Sequence, residues 1–113
     1  MPRFEDHVKS CKMFGLSREI CEEVNRHMDE PSKWIIGCGH RKFRHQPNYC
    51  ELIAQNFKRK ALIEGKSEAE ASKIYREAYS ACILHIRDDC RKSSKICKRS
   101  SSCEKVEKLL KLR

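Results

Sequence analysis

Apolar positions recur along the chain with a helical period. Phe4, Val8 and Cys11 fall on one face of a segment from about Arg3 to Phe14, with Glu5 and Asp6 near its positive dipole end. Gly15 offers the left-handed conformation that stops a helix. Ser17 stands where a second helix starts, so its hydroxyl is expected to accept from the first turn, with Leu16 and Cys21 at staple positions. Ile20, Val24, His27 and Met28 form the stripe of that helix, and Pro31 ends it near Asp29. The next stretch, 31–47, has no clear period. It holds Trp34, Ile35 and Ile36, with Trp34 expected to plug the core, then Gly37-Cys38-Gly39, and it closes at Pro47.

A third helix is expected from about Asn48, with Glu51 completing a capping box, to Gly65. Its stripe is Tyr49, Leu52, Ile53, Phe57 and Ala61. Ser67-Glu68-Ala69-Glu70 is a second capping box, opening a helix to about Asp89. Ala71, Ile74, Tyr75, Ala78, Cys82 and Ile86 mark its core side. The run Ala81-Cys82-Ile83-Leu84 widens that surface, which predicts the central helix. Residues 91–102 read as a basic, Ser-rich loop. Ser101 with Glu104 suggests a last cap, before a short helix carrying Val106, Leu109 and Leu110. No segment alternates as a strand would. The expected fold is all-α: one domain over 1–113, a compact bundle of four long helices plus a short C-terminal one, with an irregular Cys/His-rich connection at about 31–47.

Charge changes this picture more than composition does. Charged residues make up 36% of the chain and its net charge is +9. A small domain usually keeps a net charge of magnitude roughly 2 to 8, and a surplus attracts polyanions. Nucleic acid, DNA or RNA, is the expected partner, and a homo-oligomer stays open. There is no run of 18 apolar residues, so no membrane insertion is expected. The opening Met1-Pro2-Arg3-Phe4-Glu5-Asp6 lacks the apolar core of a secretory signal, so an intracellular, soluble protein is expected.

Eight cysteines occur: Cys11, Cys21, Cys38, Cys50, Cys82, Cys90, Cys97 and Cys103. Three readings stay open. They are buried thiols, metal ligands, or disulfides, the last suiting an intracellular protein only in a hyperthermophile. The nine residues between Cys11 and Cys21 resemble half of the twin CX9C proteins of the mitochondrial intermembrane space. The second pair of that family is missing, and Gly15 breaks the segment where the family has a helix, so the match is set aside.

The densest chemistry lies between Cys38 and Cys50, which reads C-x-H-x4-H-x4-C. Cys38, His40, His45 and Cys50 form a zinc-type ligand set, with Gly39 and Pro47 permitting tight backbone. The segment resembles a zinc knuckle over 13 of 113 residues. His45 and Cys50 match that family's last two ligands and Cys38 its first. His40 replaces a cysteine, and the first spacer is one residue short. The resemblance implies single-stranded nucleic acid as ligand, with Phe43 and Tyr49 stacking on bases and Arg41, Lys42 and Arg44 meeting phosphates. The alternative is a basic loop with surface histidines between buried or paired cysteines.

A second constellation suggests catalysis. Asp29-Glu30-Pro31-Ser32 followed by Gly39-His40-Arg41 and His45 loosely resembles metal-dependent hydrolases that carry H-R-G-x-T-H-S after an acidic motif. Those are membrane proteins, and Lys42 and Arg44 replace their small residues. His85, Asp88 and Asp89 add a histidine and two carboxylates on the central helix. A site of His40, His45, His85 and Asp89, with Asp29, could activate water on a phosphoester. The plainer reading is a half-buried His85 bonded to Asp89, with Asp88 solvated.

Further basic residues extend the cationic set: Lys58, Arg59 and Lys60 on the third helix, then Arg91, Lys92, Lys95, Lys98 and Arg99. The sequence therefore favours a small basic nucleic-acid-binding protein, braced by a zinc site. A metal-dependent phosphohydrolase or nuclease is the second reading. A disulfide-stabilised interaction module is the third.

Overall fold

A computed structural model describes residues 4–30, 46–91 and 101–111. Among them there are five α-helices and no strand: α1 Phe4–Met13, α2 Arg18–Asp29, α3 Pro47–Ile63, α4 Glu68–Arg91 and α5 Ser101–Lys111. The all-α expectation holds, with the helices in the expected order and a short one at the C-terminal end. Gly15 (φ 77°) and Gly65 (φ 90°) take the left-handed backbone that ends α1 and α3. Side chains with a Cβ avoid that region, so glycine marks both stops.

The caps partly differ from expectation. Ser67 Oγ accepts from the Glu70 backbone N–H at 3.2 Å, as the capping box requires. Ser17 does occupy the N-cap of α2, but its side chain makes no capping hydrogen bond. Helix α3 starts one residue earlier than expected, with Gln46 as N-cap, Pro47 in the first turn and no side-chain cap. The ring fixes φ and lacks an N–H that the first turn would leave orphaned anyway, so proline starts the helix without a capping box.

Helix α4 is central. Residues Ser80 to Ile86 are all buried, which a helix achieves only when covered on every side. It packs on α3 through small residues, Ala54 and Ala61 facing a helix that carries Ala71, Ala78 and Ala81. Cys50, Ile53, Ala54 and Ala61 are the buried residues of α3. Leu52, expected in the stripe, is 52% exposed. At 100° per residue it lies about 200° from Cys50, off the face that Cys50 turns to α4. Ile20, Val24 and Met28 of α2, with Val106 of α5, complete the core.

Among the described residues three disulfides staple this arrangement: Cys11–Cys21 joins α1 to α2, Cys50–Cys82 joins α3 to α4, and Cys90–Cys103 joins α4 to α5. Their Cα–Cα distances of 5.4 to 5.9 Å fit unstrained bridging. Among the described residues no cysteine is free. On the chain-entropy estimate, the two short loops stabilise by about 3 kcal/mol each and the Cys50–Cys82 loop by about 4 kcal/mol. The Met28 sulfur touches that of Cys82 at 3.5 Å, a packing contact because a disulfide sulfur carries no proton. No helix among the described residues is long and apolar enough to cross a membrane.

Candidate functional site

The polar heart of the bundle lies where α1, α2 and α4 meet. Helix α4 supplies His85 and Asp89, one turn apart on one face, and α2 supplies Asn25 and Asp29 at the same spacing. Helix α1 supplies His7. His7, Asn25, His85 and Asp89 are each at most 2% exposed. Buried groups of this kind need partners, since each one left unsatisfied costs about 1–3 kcal/mol.

The partners are specific. The His7 and His85 rings stack with centroids 3.8 Å apart and planes 18° from parallel. Asn25 Nδ2 donates to the Cys21 carbonyl at 2.6 Å, which turns its Oδ1 toward His85 Nδ1, also at 2.6 Å. With an amide oxygen as acceptor, His85 Nδ1 carries the proton. His85 Nε2 then faces two carboxylates, Asp29 Oδ1 at 3.1 Å and Asp89 Oδ2 at 3.3 Å. The other Asp89 oxygen lies 3.1 Å from His7 Nε2. Asp88 Oδ2 stands 3.7 Å from His7 Nδ1, and that buried nitrogen has no hydrogen-bond partner. Asp88 also accepts from Arg87, whose guanidinium reaches Ser10 Oγ on α1 at 3.3 Å.

Charge coupling follows from this geometry. Burial by itself pulls His7 down, but the carboxylates of Asp88, Asp89 and Asp29 outweigh it and raise its pKa to about 9. Burial pushes Asp29 up, and contact with His85 more than compensates, so its carboxyl sits below the usual value. Asp88 is likewise held low, burial being outweighed by His7, Arg87 and Ser10.

The staples surround this centre. Cys11 is one turn beyond His7, Cys21 one turn before Asn25, Cys82 three residues before His85, and Cys90 follows Asp89. Each contributing helix is thus covalently tied within about a turn of its polar residue, which limits the play in their relative register.

Several expected site residues fall elsewhere. Cys38, His40, Arg41, Lys42, Phe43, Arg44 and His45 lie outside the described residues, as do Lys92, Lys95, Lys98, Arg99 and Trp34. Cys50, expected as a zinc thiolate, is instead bonded to Cys82. Zinc binds the deprotonated thiol, and a disulfide sulfur offers none, so the four-ligand Cys38, His40, His45 and Cys50 set is not formed in this oxidised chain. Tyr49, expected to stack on bases, has its hydroxyl 2.9 Å from His27 Nε2. Lys58 pairs with Glu68 at 3.3 Å and Arg91 with Glu107 at 3.3 Å. Of the expected catalytic set, His85 and Asp89 do meet, together with Asp29.

His7 and Asn25 were missed from sequence. The signal existed: each sits on the apolar stripe of its helix, four residues from a buried cysteine. Asp88, expected to be solvated, is instead drawn against His7 and Arg87.

No family model, curated protein or solved structure matches this chain.

Proposed function

We propose that this protein binds nucleic acid through cationic segments carried on a charge-balanced, disulfide-stapled helical body. The observation that carries the reading is how charge divides along the chain. Every Asp and Glu lies within the described residues. Residues 31–45 contain Lys33, Arg41, Lys42 and Arg44 and no acid; residues 92–100 contain Lys92, Lys95, Lys98 and Arg99 and no acid.

On the body, cations meet carboxylates. Besides Lys58–Glu68 and Arg91–Glu107, Arg18 pairs with Glu22 and Arg87 with Asp88. The groove of about 490 Å³ between α2, α3 and α4 is rimmed by Glu19, Glu23, Lys60, Glu64, Lys73 and Glu77. Such mixed faces attract polyanions weakly. Lys and Arg in stretches that contain no acid, together with Phe43, His40 and His45, supply what phosphate contact and base stacking require. Both segments join helices that the staples hold: Cys50 lies near the start of α3, Cys90 at the end of α4, and Cys103 near the start of α5. A disulfide frame suits an oxidising compartment or the interior of a hyperthermophile.

The test is filter binding of single-stranded RNA and duplex DNA across a salt series. Arg41→Ala with Arg44→Ala, and separately Lys98→Ala with Arg99→Ala, are expected to weaken binding and to reduce the slope of log affinity against log salt by up to about 2 each. Unchanged affinity and slope in both double variants would exclude these segments from the interface.

A further inference from the structure

We propose that His7, Asp29 and His85, with Asp89, form a binding site for one divalent transition-metal ion of the zinc class. The inference is independent of nucleic-acid binding.

The Asn25 hydrogen bond places the proton of His85 on Nδ1, so Nε2 presents either a second proton or a lone pair to Asp29 and Asp89. A lone pair aimed at two carboxylate oxygens is repulsive, so a cation must stand between them. One proton on Nε2 would have to be shared between those two directions, which weakens each bond. A metal ion can bond to the nitrogen and to both carboxylates at once.

His7 Nε2 also faces Asp89 and its Nδ1 faces Asp88, so meeting all of these carboxylates with protons alone would make both rings imidazolium, stacked 3.8 Å apart. Two cations face to face at that separation repel. Two neutral imidazoles, two carboxylates and one divalent ion sum to zero, which is the arrangement a buried site favours.

One ligand atom from each of His7, Asp29 and His85 lies within 4.8 Å of the others. His85 Nε2 lies 3.1 Å from Asp29 Oδ1, about the edge of a tetrahedron with bonds of about 2.0 Å, and the two Asp89 oxygens each approach a different histidine, at 3.1 and 3.3 Å. Outer partners are arranged as in metal-binding histidines. His85 donates its other nitrogen to Asn25, and the other nitrogen of His7 faces the Asp88 carboxylate. With one Asp89 oxygen turned onto the ion as the fourth ligand no position stays open, so the ion would brace α1, α2 and α4 rather than activate water.

The probes are Zn²⁺ and Co²⁺, added to the full oxidised chain after chelator treatment. The background is His40→Ala with His45→Ala, which removes the other histidine pair. Calorimetry is expected to show one equivalent bound. Co²⁺ should give the intense visible bands of a tetrahedral site, and thermal stability should rise with metal concentration. Asp29→Asn, at a half-buried position where folding is least at risk, should weaken binding at least tenfold. His85→Gln should abolish the Co²⁺ bands. Should His85→Gln fail to fold, Asp29→Asn still decides. Absence of stoichiometric binding in the background chain, or affinity unaltered by Asp29→Asn with native circular dichroism, would overturn the proposal.

Discussion

His85 Nδ1 lies 2.6 Å from Asn25 Oδ1, and that single contact sets the chemistry of the polar centre. It fixes which ring nitrogen holds the proton and which faces Asp29 and Asp89. Asn25→Leu should therefore strand a buried donor on His85, while the Cys21 carbonyl keeps its helical backbone bond. The expected loss is about 1–3 kcal/mol for each group left unsatisfied, read as a lower urea midpoint. A midpoint within error of the parent would show that the contact carries no stability.

Stability should depend on pH in a defined direction in chelator-treated protein. His7 is raised to about 9, so its contribution is complete below its unfolded value near 6.5 and is lost as pH rises through about 9. A rise of that size corresponds to about 3 kcal/mol, as an order of magnitude. Asp29 and Asp88 are lowered, so their contribution is present above about 4 and is lost as pH falls through their depressed values. The midpoint of urea unfolding should be highest between about pH 4 and 6.5, and His7→Gln should remove the alkaline decline. A curve that keeps rising toward pH 9 would contradict the ion pairs of His7.

The disulfides should be measurable one at a time. Cys50→Ala with Cys82→Ala opens the longest of the three described loops and should cost about 4 kcal/mol by the chain-entropy estimate, plus the packing lost from two buried side chains. Thiol titration of the unreduced, denatured parent should find no more than two reactive cysteines, since six of the eight are paired in described bridges. Eight reactive thiols in protein purified without reductant would refute the stapled fold.

Two serines at helix starts should behave differently. Ser67→Ala removes a hydroxyl that accepts from the Glu70 N–H and should cost about 1 kcal/mol. Ser17→Ala removes none and should be close to neutral. Equal losses in thermal unfolding would mean that Ser17 caps in solution.

The helices could be read from one chain alone because their causes are local. Ile20, Val24 and Met28 repeat at helical spacing, Gly15 and Gly65 provide left-handed stops, and Ser67 with Glu70 signs a start. Charge division could also be counted directly. Partners could not. Nothing near Cys50 in the sequence specifies Cys82, 32 residues away, and the local zinc-like spacing pointed instead to Cys38 and His45. Leu52 was placed on the wrong face for a related reason: periodicity allows several apolar stripes, and only the covalent tie at Cys50 selects one.

The polar centre divides in the same way. Sequence placed His85 and Asp89 on one helical face, because residues four apart always share it. It could not bring His7 across from α1 or set Asn25 behind His85, since those distances depend on how three helices pack. Helical periodicity is a property of neighbouring residues, whereas the meeting of His7, Asp29, His85 and Asp89 exists only after α1, α2 and α4 have closed on one another and excluded water.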